Sequence, residues 1–162
     1  MIAISNASPL ISLSSVGALD LLASLFTTIH IPEAVYEEIA IAGAGRAGSA
    51  EVAAATWIRR HVVTDIDAVR QLMTDAKLKT GESETLILAA ELNADLVIID
   101  ERPARRYALA QGLPIAGTLG VLLLAKTRGL LPEVRPLLHA LSAAGMRLSS
   151  TLYVETLRRA GE

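Results

Sequence analysis

A three-layer α/β/α fold, with a central parallel sheet and added C-terminal helices, is the architecture this chain predicts. Three observations predict it. Short apolar runs alternate with longer helical ones along the chain. Leu96-Val97-Ile98-Ile99 is wholly apolar and stops abruptly at Asp100, the pattern of a parallel strand buried on both faces. Ahead of it, Glu82 to Ala94 is rich in Ala and Leu and lacks Gly and Pro, so it reads as a helix antiparallel to the strand it feeds. About 13 helical residues at ~1.5 Å rise span ~20 Å. About five strand residues at ~3.3 Å span ~16 Å. Glu82 and Asp100 are therefore expected level at the sheet's carboxyl edge, where such sheets place their ligands.

From the start, Ile2 to Ser5 reads as a strand. Ser8 as helix cap with Pro9 at the first helical position opens a helix over Leu10 to Ser15, and a second covers Asp20 to Phe26. Thr28 to Ile31 is the next strand, and Pro32-Glu33 opens a helix to about Ile41. Gly43 to Ser49 is a Gly-rich loop. A short helix at Glu51 to Ala55 precedes a strand from Trp57 to Val63, and Asp65 to Lys77 returns as helix. Beyond Asp100, Pro103 to Gln111 is helical and Gly112 stops it. Pro114 to Ala116 is a short strand, Thr118 caps an apolar helix to Arg128, and Pro132 to Ala144 and Ser149 to Ala160 are amphipathic helices. With no repeat or linker, residues 1–162 read as one domain, of which 131–162 is a C-terminal helical extension.

Composition narrows the function classes. The chain has 162 residues, 52% hydrophobic but only 3% aromatic, which argues against a base-stacking platform. It has no cysteine, so disulfides, Cys-ligated zinc and thiol nucleophiles are excluded, and a cytoplasmic location fits. Met1 to Ser5 carries no basic region or cleavage site, so no signal peptide is expected, and no apolar run reaches a membrane span. A formal charge of −2 means that any nucleic-acid binding rests on a local patch. His30, His61 and His139 are scattered without metal-ligand spacing, and Gly43 to Gly48 lacks the Lys-Ser/Thr of a phosphate loop.

The topology can bring Asn6, Glu38, Glu82 and Asp100 together. Clustered carboxylates stay ionised only if something positive joins them. Mg²⁺ or Mn²⁺ takes such oxygen ligands, acidifies a bound water and stabilises a phosphodiester under in-line attack. That is nuclease chemistry. Each residue also has a plainer reading. Asp100 could cap the next helix, and Glu82 could simply favour a helix N-terminus. Glu84 points elsewhere and reads as surface or an outer support. Ser8 and Thr118 are caps first. Arg102, Arg105 and Arg106 could hold RNA phosphates or lie on a solvated helix face.

Five segments in order carry a family resemblance. They are Ser5-Asn6-Ala7-Ser8-Pro9-Leu10-Ile11, Ile31-Pro32-Glu33-Ala34-Val35-Tyr36-Glu37-Glu38, Gly81-Glu82-Ser83-Glu84 with Leu88-Ala89, Ile99-Asp100, and Gly117-Thr118-Leu119-Gly120-Val121-Leu122 with Ala125-Lys126. Together they resemble the PIN-like domain family, in a bacterial and archaeal branch with extended C-terminal helices related to VapC-type toxin ribonucleases. The resemblance implies an endoribonuclease dependent on Mg²⁺ or Mn²⁺, in which a metal-activated water hydrolyses a phosphodiester. It also implies a toxin role, with a small antitoxin protein as partner. By carry-over Glu38, Glu82 and Asp100 are the catalytic acids and metal ligands, with Asn6 a fourth ligand where the family usually has Asp. Ser8, Arg102, Arg106 and Thr118 are the candidates for contacting RNA.

Two other readings compete. Asn6 adds no negative charge, which favours a catalytically weak or inactive module that binds RNA or a protein partner. A phosphoacceptor receiver domain would want an acidic pair after the first strand, and Ser5-Asn6 does not supply one. Leu119, Leu122 and Leu123 exceed what one small sheet needs to cover and suggest a homodimer. Asn6→Asp restores charge without changing size. It is expected to tighten Mn²⁺ binding in calorimetry, and an unchanged affinity would remove Asn6 from the ligand set.

Overall fold

The computed structural model describes residues 1–162. Five parallel strands form the sheet: β1 (Ala3–Ser5), β2 (Ile29–Pro32), β3 (Ile58–His61), β4 (Leu96–Ile98) and β5 (Ile115–Ala116). Their order is β3-β2-β1-β4-β5, with Ala3 beside both Ile29 and Leu96 and Ser5 beside Ile98. The chain builds outward from β1 through β2 to β3, then crosses back to lay β4 on the other side of β1. The winding direction reverses between β1 and β4, so a crevice opens at their carboxyl ends.

Ten helices cover the two faces: α1 (Ala7–Ser15), α2 (Asp20–Phe26), α3 (Glu33–Tyr36), α4 (Ser49–Ala54), α5 (Ile66–Asp75), α6 (Thr80–Glu91), α7 (Arg102–Ala110), α8 (Thr118–Thr127), α9 (Arg135–Ala143) and α10 (Ser150–Ala160). Because side chains alternate along a strand, adjacent residues feed different cores. Ala3 and Ile98 join α1, α2, α8 and α9 in a cluster of 20 buried residues. Ile4, Val97 and Ile99 join α5, α6 and α7 in a cluster of 12. This confirms the expected three layers with a parallel sheet. None of the helices is long and apolar enough to cross a membrane.

Local differences from the sequence reading have local causes. The helix opened by Glu33 widens into a π-helix over Glu37–Ala42. A Cβ on Gly43 would stand 2.7 Å from the Ile39 carbonyl oxygen, so only glycine lets the turn end there. The helix α1 starts at Ala7, with Asn6 rather than Ser8 in the cap position. Likewise α8 is preceded by Gly117, and Thr118 is its first residue. Only Leu96–Ile98 of the expected five-residue strand pairs as a strand, and Ile58–His61 is shorter than the Trp57 to Val63 run. The ninth helix begins at Arg135, three residues after Pro132, with Pro136 in its first turn where a missing N–H costs nothing. Of the leucines that suggested a homodimer, Leu119 and Leu123 are only partly buried. Leu122 is fully buried, and α10 packs along α8, leaving Leu152 and Val154 exposed.

Glu162 fastens this helical extension. Its Oε1 accepts from Lys126 Nζ of α8 at 2.7 Å and from the Val134 N–H at 2.6 Å, and its Oε2 accepts from the Arg135 N–H at 3.1 Å. One carboxylate thus joins the end of α8 to the N-terminus of α9, where negative charge is favoured. The Lys126 and backbone bonds lower its pKa from 4.5 to about 2. A depressed carboxylate adds stability above its unfolded pKa and loses it as pH falls toward the folded value. Glu162→Gln is therefore expected to lower the melting temperature at pH 7. The gap to wild type should close between pH 4.5 and about 2, as read by circular dichroism.

Candidate functional site

The crevice between β1 and β4 is built on Asn6. Its backbone N–H donates to the Ile98 carbonyl at 2.9 Å, which carries the β1–β4 pairing past the strand end. Its side chain is 3% exposed and makes two contacts. Nδ2 donates to Glu101 Oε2 at 3.0 Å, and Oδ1 lies 3.5 Å from the Thr85 hydroxyl of α6. A carboxylate only accepts, so the amide nitrogen must face Glu101 and the amide oxygen must face α6. The Ser8 hydroxyl donates to the other oxygen of Glu101. Both carboxylate oxygens of Glu101 are thereby held by the β1–α1 junction.

Across the crevice, Glu38 comes from the first part of the π-helix and Gly81 from the first turn of α6. A Cβ added at Gly81 would lie 3.6 Å from Glu38 Oε2 and 3.7 Å from Asn6 Oδ1. The bare Gly81 thus leaves a small cradle faced by one carboxylate oxygen and one amide oxygen. Burial raises the Glu38 pKa above its ordinary 4.5; Lys79 opposes this, and Glu101 and Glu82 add to it. Glu38 therefore feels Glu101 and Glu82 as like charges. Glu82 itself is 8% exposed, and its Oε2 accepts from the Lys79 N–H at 3.1 Å, so it caps the start of its own helix.

Asp100 faces the other way. Its Oδ1 accepts from the Thr118 N–H at 2.7 Å and its Oδ2 from the Thr118 hydroxyl at 2.6 Å. Burial raises its pKa above 3.8; the two Thr118 bonds and Arg105 pull it down, and Glu101 pushes it up. A Cβ on Gly117 would stand 2.6 Å from Asp100 Oδ1, so glycine is required for the acid to reach this helix end.

The residues expected to converge are therefore divided. Asn6 and Glu38 face one cradle, Glu82 lies beside it as a cap, and Asp100 is bonded to α8. The acid that meets Asn6 is Glu101, which the sequence reading passed over. Glu101 directly follows Asp100, but both lie beyond the end of β4, where alternation along a strand no longer fixes which way a side chain points. Ser8 serves neither as cap nor as a free group but holds Glu101. Thr118 is fully buried on Asp100 and has no hydroxyl left for RNA. Arg102 and Arg106 are exposed on α7. Glu84 is half-buried, and burial with Glu37 and Glu33 nearby raises its pKa.

As donors, Asn6 Oδ1 and the carboxylates of Glu38 and Glu101 suit a hard divalent cation, which prefers oxygen. Their mutual repulsion and the open space over Gly81 fit the same ion. No three acidic or histidine side chains stand close enough together to hold one as they lie. Glu101 is engaged by Ser8 and Asn6 and has to exchange those bonds to join Glu38.

The chain matches the DUF3368 family model, described as a PIN domain, over residues 2–162. No curated protein matches it.

A raised carboxyl pKa gives a definite sign. The folded state keeps a proton on Glu38 that the unfolded chain releases, so wild-type stability falls as pH rises above 4.5. Glu38→Gln removes this ionisation. In EDTA, its stability in urea is expected to exceed that of wild type by a gap that opens as pH rises above 4.5 and levels off once Glu38 is ionised in the folded state as well. The two should coincide at or below pH 4.5.

Proposed function

The chain belongs to the PIN-domain family, a nuclease fold family often found in toxin–antitoxin systems, and on that premise we propose that it is a metal-dependent endoribonuclease. Domains of this family generally use divalent metals and bind RNA. The observation that carries the reading is the cradle over Gly81, where Glu38 Oε2 and Asn6 Oδ1 face the same space and Glu101 stands hydrogen-bonded to Asn6. Glu38, Glu101 and Asn6 would hold Mg²⁺ or Mn²⁺, and Glu82 would add negative charge beside them. A hard divalent ion held there supplies a more acidic water and positive charge for the phosphodiester.

The chain's own residues do the rest. Ser8 and Asn6 orient Glu101, and Lys79 offsets part of the negative charge at Glu38. Asp100 ties the end of β4 to α8 and so points its neighbour Glu101 into the crevice. Arg102 and Arg106, exposed on α7, would contact RNA phosphates. The same reading makes the protein a cytoplasmic toxin restrained by a small antitoxin. A cavity of about 660 Å³ borders Glu38, Lys79 and Gly81, beside Ile41, which is 62% exposed. It would give an antitoxin side chain access to the acids.

A catalytically weak module that binds RNA or protein is the second reading, and the two hydrogen bonds that already occupy Glu101 favour it. Calorimetry with Mn²⁺ separates them, run on wild type, Asp100→Asn and the double variant Glu38→Gln with Glu101→Gln. Wild type is expected to bind at micromolar to low-millimolar affinity and to cleave RNA. The double variant should lose both, and Asp100→Asn should keep the Mn²⁺ heat. No heat in folded wild type hands the case to the binding module. Loss confined to a folded Asp100→Asn returns Asp100 to the ligand set.

A further inference from the structure

A second cavity, of about 510 Å³, lies on the far side of Asp100 between α7, α8 and α10. Arg102 and Arg105 of α7 and Arg159 of α10 line it, with Leu119 and Leu123 of α8 and Leu152 of α10 as its apolar wall. Two carboxylates also reach it, and each is already hydrogen-bonded. Asp100 is bonded twice to Thr118, and Glu155 is bonded by both oxygens to Arg158 at 2.9 and 2.6 Å. Arg102 and Arg159 form no ion pair. Arg105 gives Nη1 to the Ile99 carbonyl at 2.8 Å, which fixes its plane and leaves its remaining donors. Three cationic forks over an apolar wall outnumber the two carboxylates, of which Glu155 is already paired with Arg158, and they suit an anion that also carries an apolar part.

We propose that this cavity seats one nucleotide of an RNA strand, its phosphate on Arg102, Arg105 and Arg159 and its nucleoside against Leu119, Leu123 and Leu152. The assignment rests on the ribonuclease reading for the identity of the strand. Its place in the fold suits that reading, because Asp100 forms one wall and the next residue, Glu101, belongs to the candidate site. A strand seated here would present its adjoining phosphodiester toward the crevice. Planar guanidiniums also stack on bases, which compensates for the absence of an aromatic side chain among the residues lining the cavity. The C-terminal extension thereby gains a role in substrate binding, since Arg159 and Leu152 both belong to α10.

The test is fluorescence anisotropy of a labelled single-stranded RNA of about six nucleotides, in EDTA and at low salt. Wild type and the double variant Arg102→Ala with Arg159→Ala are compared, both side chains being exposed so that the fold is kept. The variant is expected to bind about tenfold more weakly, with a shallower salt dependence. Its Mn²⁺ heat should match that of wild type. Equal RNA binding by the two proteins, or no binding by wild type, overturns the proposal. Competition by 5′-AMP as effective as that of the RNA overturns it in favour of a free nucleotide. Equal competition by hexaglutamate overturns it in favour of an acidic protein segment. If wild type gives no Mn²⁺ heat but the variant still loses RNA, the seat stands and the metal-dependent reading fails.

Discussion

A carboxylate taken out of water must be met by donors, and at the end of β4 the first residue of α8 meets it. Asp100 takes both the N–H and the hydroxyl of Thr118, and a charged group satisfied this way is worth more than a neutral bond. The rest of the crevice follows from that choice. With Asp100 bonded to α8, Glu101 is the acid taken up by Asn6 and Ser8 at the β1–α1 junction. Gly117 is the steric condition for it, since a methyl group there would overlap the acid. One residue type, one helix end and one glycine decide which of two neighbouring acids faces the site.

The layers were legible because they depend on periodicity. Ala3 and Ile4, or Val97 and Ile98, sit one residue apart and feed opposite cores, as alternation along a buried strand requires. The helix over Asp20–Phe26 matched its sequence bounds because its pattern and its limits are local. Of the residues the sequence singles out, Asn6 and Glu38 come to face one space over Gly81, while Asp100 and Thr118 bond to each other. Ser8 and Thr118 look like caps by every local rule, yet each gives its hydroxyl to an acid about 93 or 18 residues away in the chain. A tertiary partner that is itself charged outbids a backbone amide. No local pattern announces that, nor which of Asp100 and Glu101 will find it first.

The electrostatics around the cradle are those of a site with a deficit of positive charge. Glu38 is held toward its protonated form by burial and by Glu101 and Glu82, with Lys79 the single nearby counterweight. On the far side of Asp100 the balance reverses, because Arg102, Arg105 and Arg159 gather where the acids are already satisfied. Acid-rich and arginine-rich regions thus lie within a few residues of each other at the end of β4.

Asn6 gives the crevice a property that an acid in its place would not. An amide donates through one atom and accepts through the other, so it bonds Glu101 while still offering an oxygen toward Gly81. With aspartate there, two like charges would face each other, and an ion would become a structural requirement as well as a reagent. Ligand binding would then raise folding stability by mass action, and the protein's persistence would track the supply of that ion. The asparagine loosens that dependence: with one like charge fewer in the crevice, the folded chain leans more on its packing and less on any bound cation.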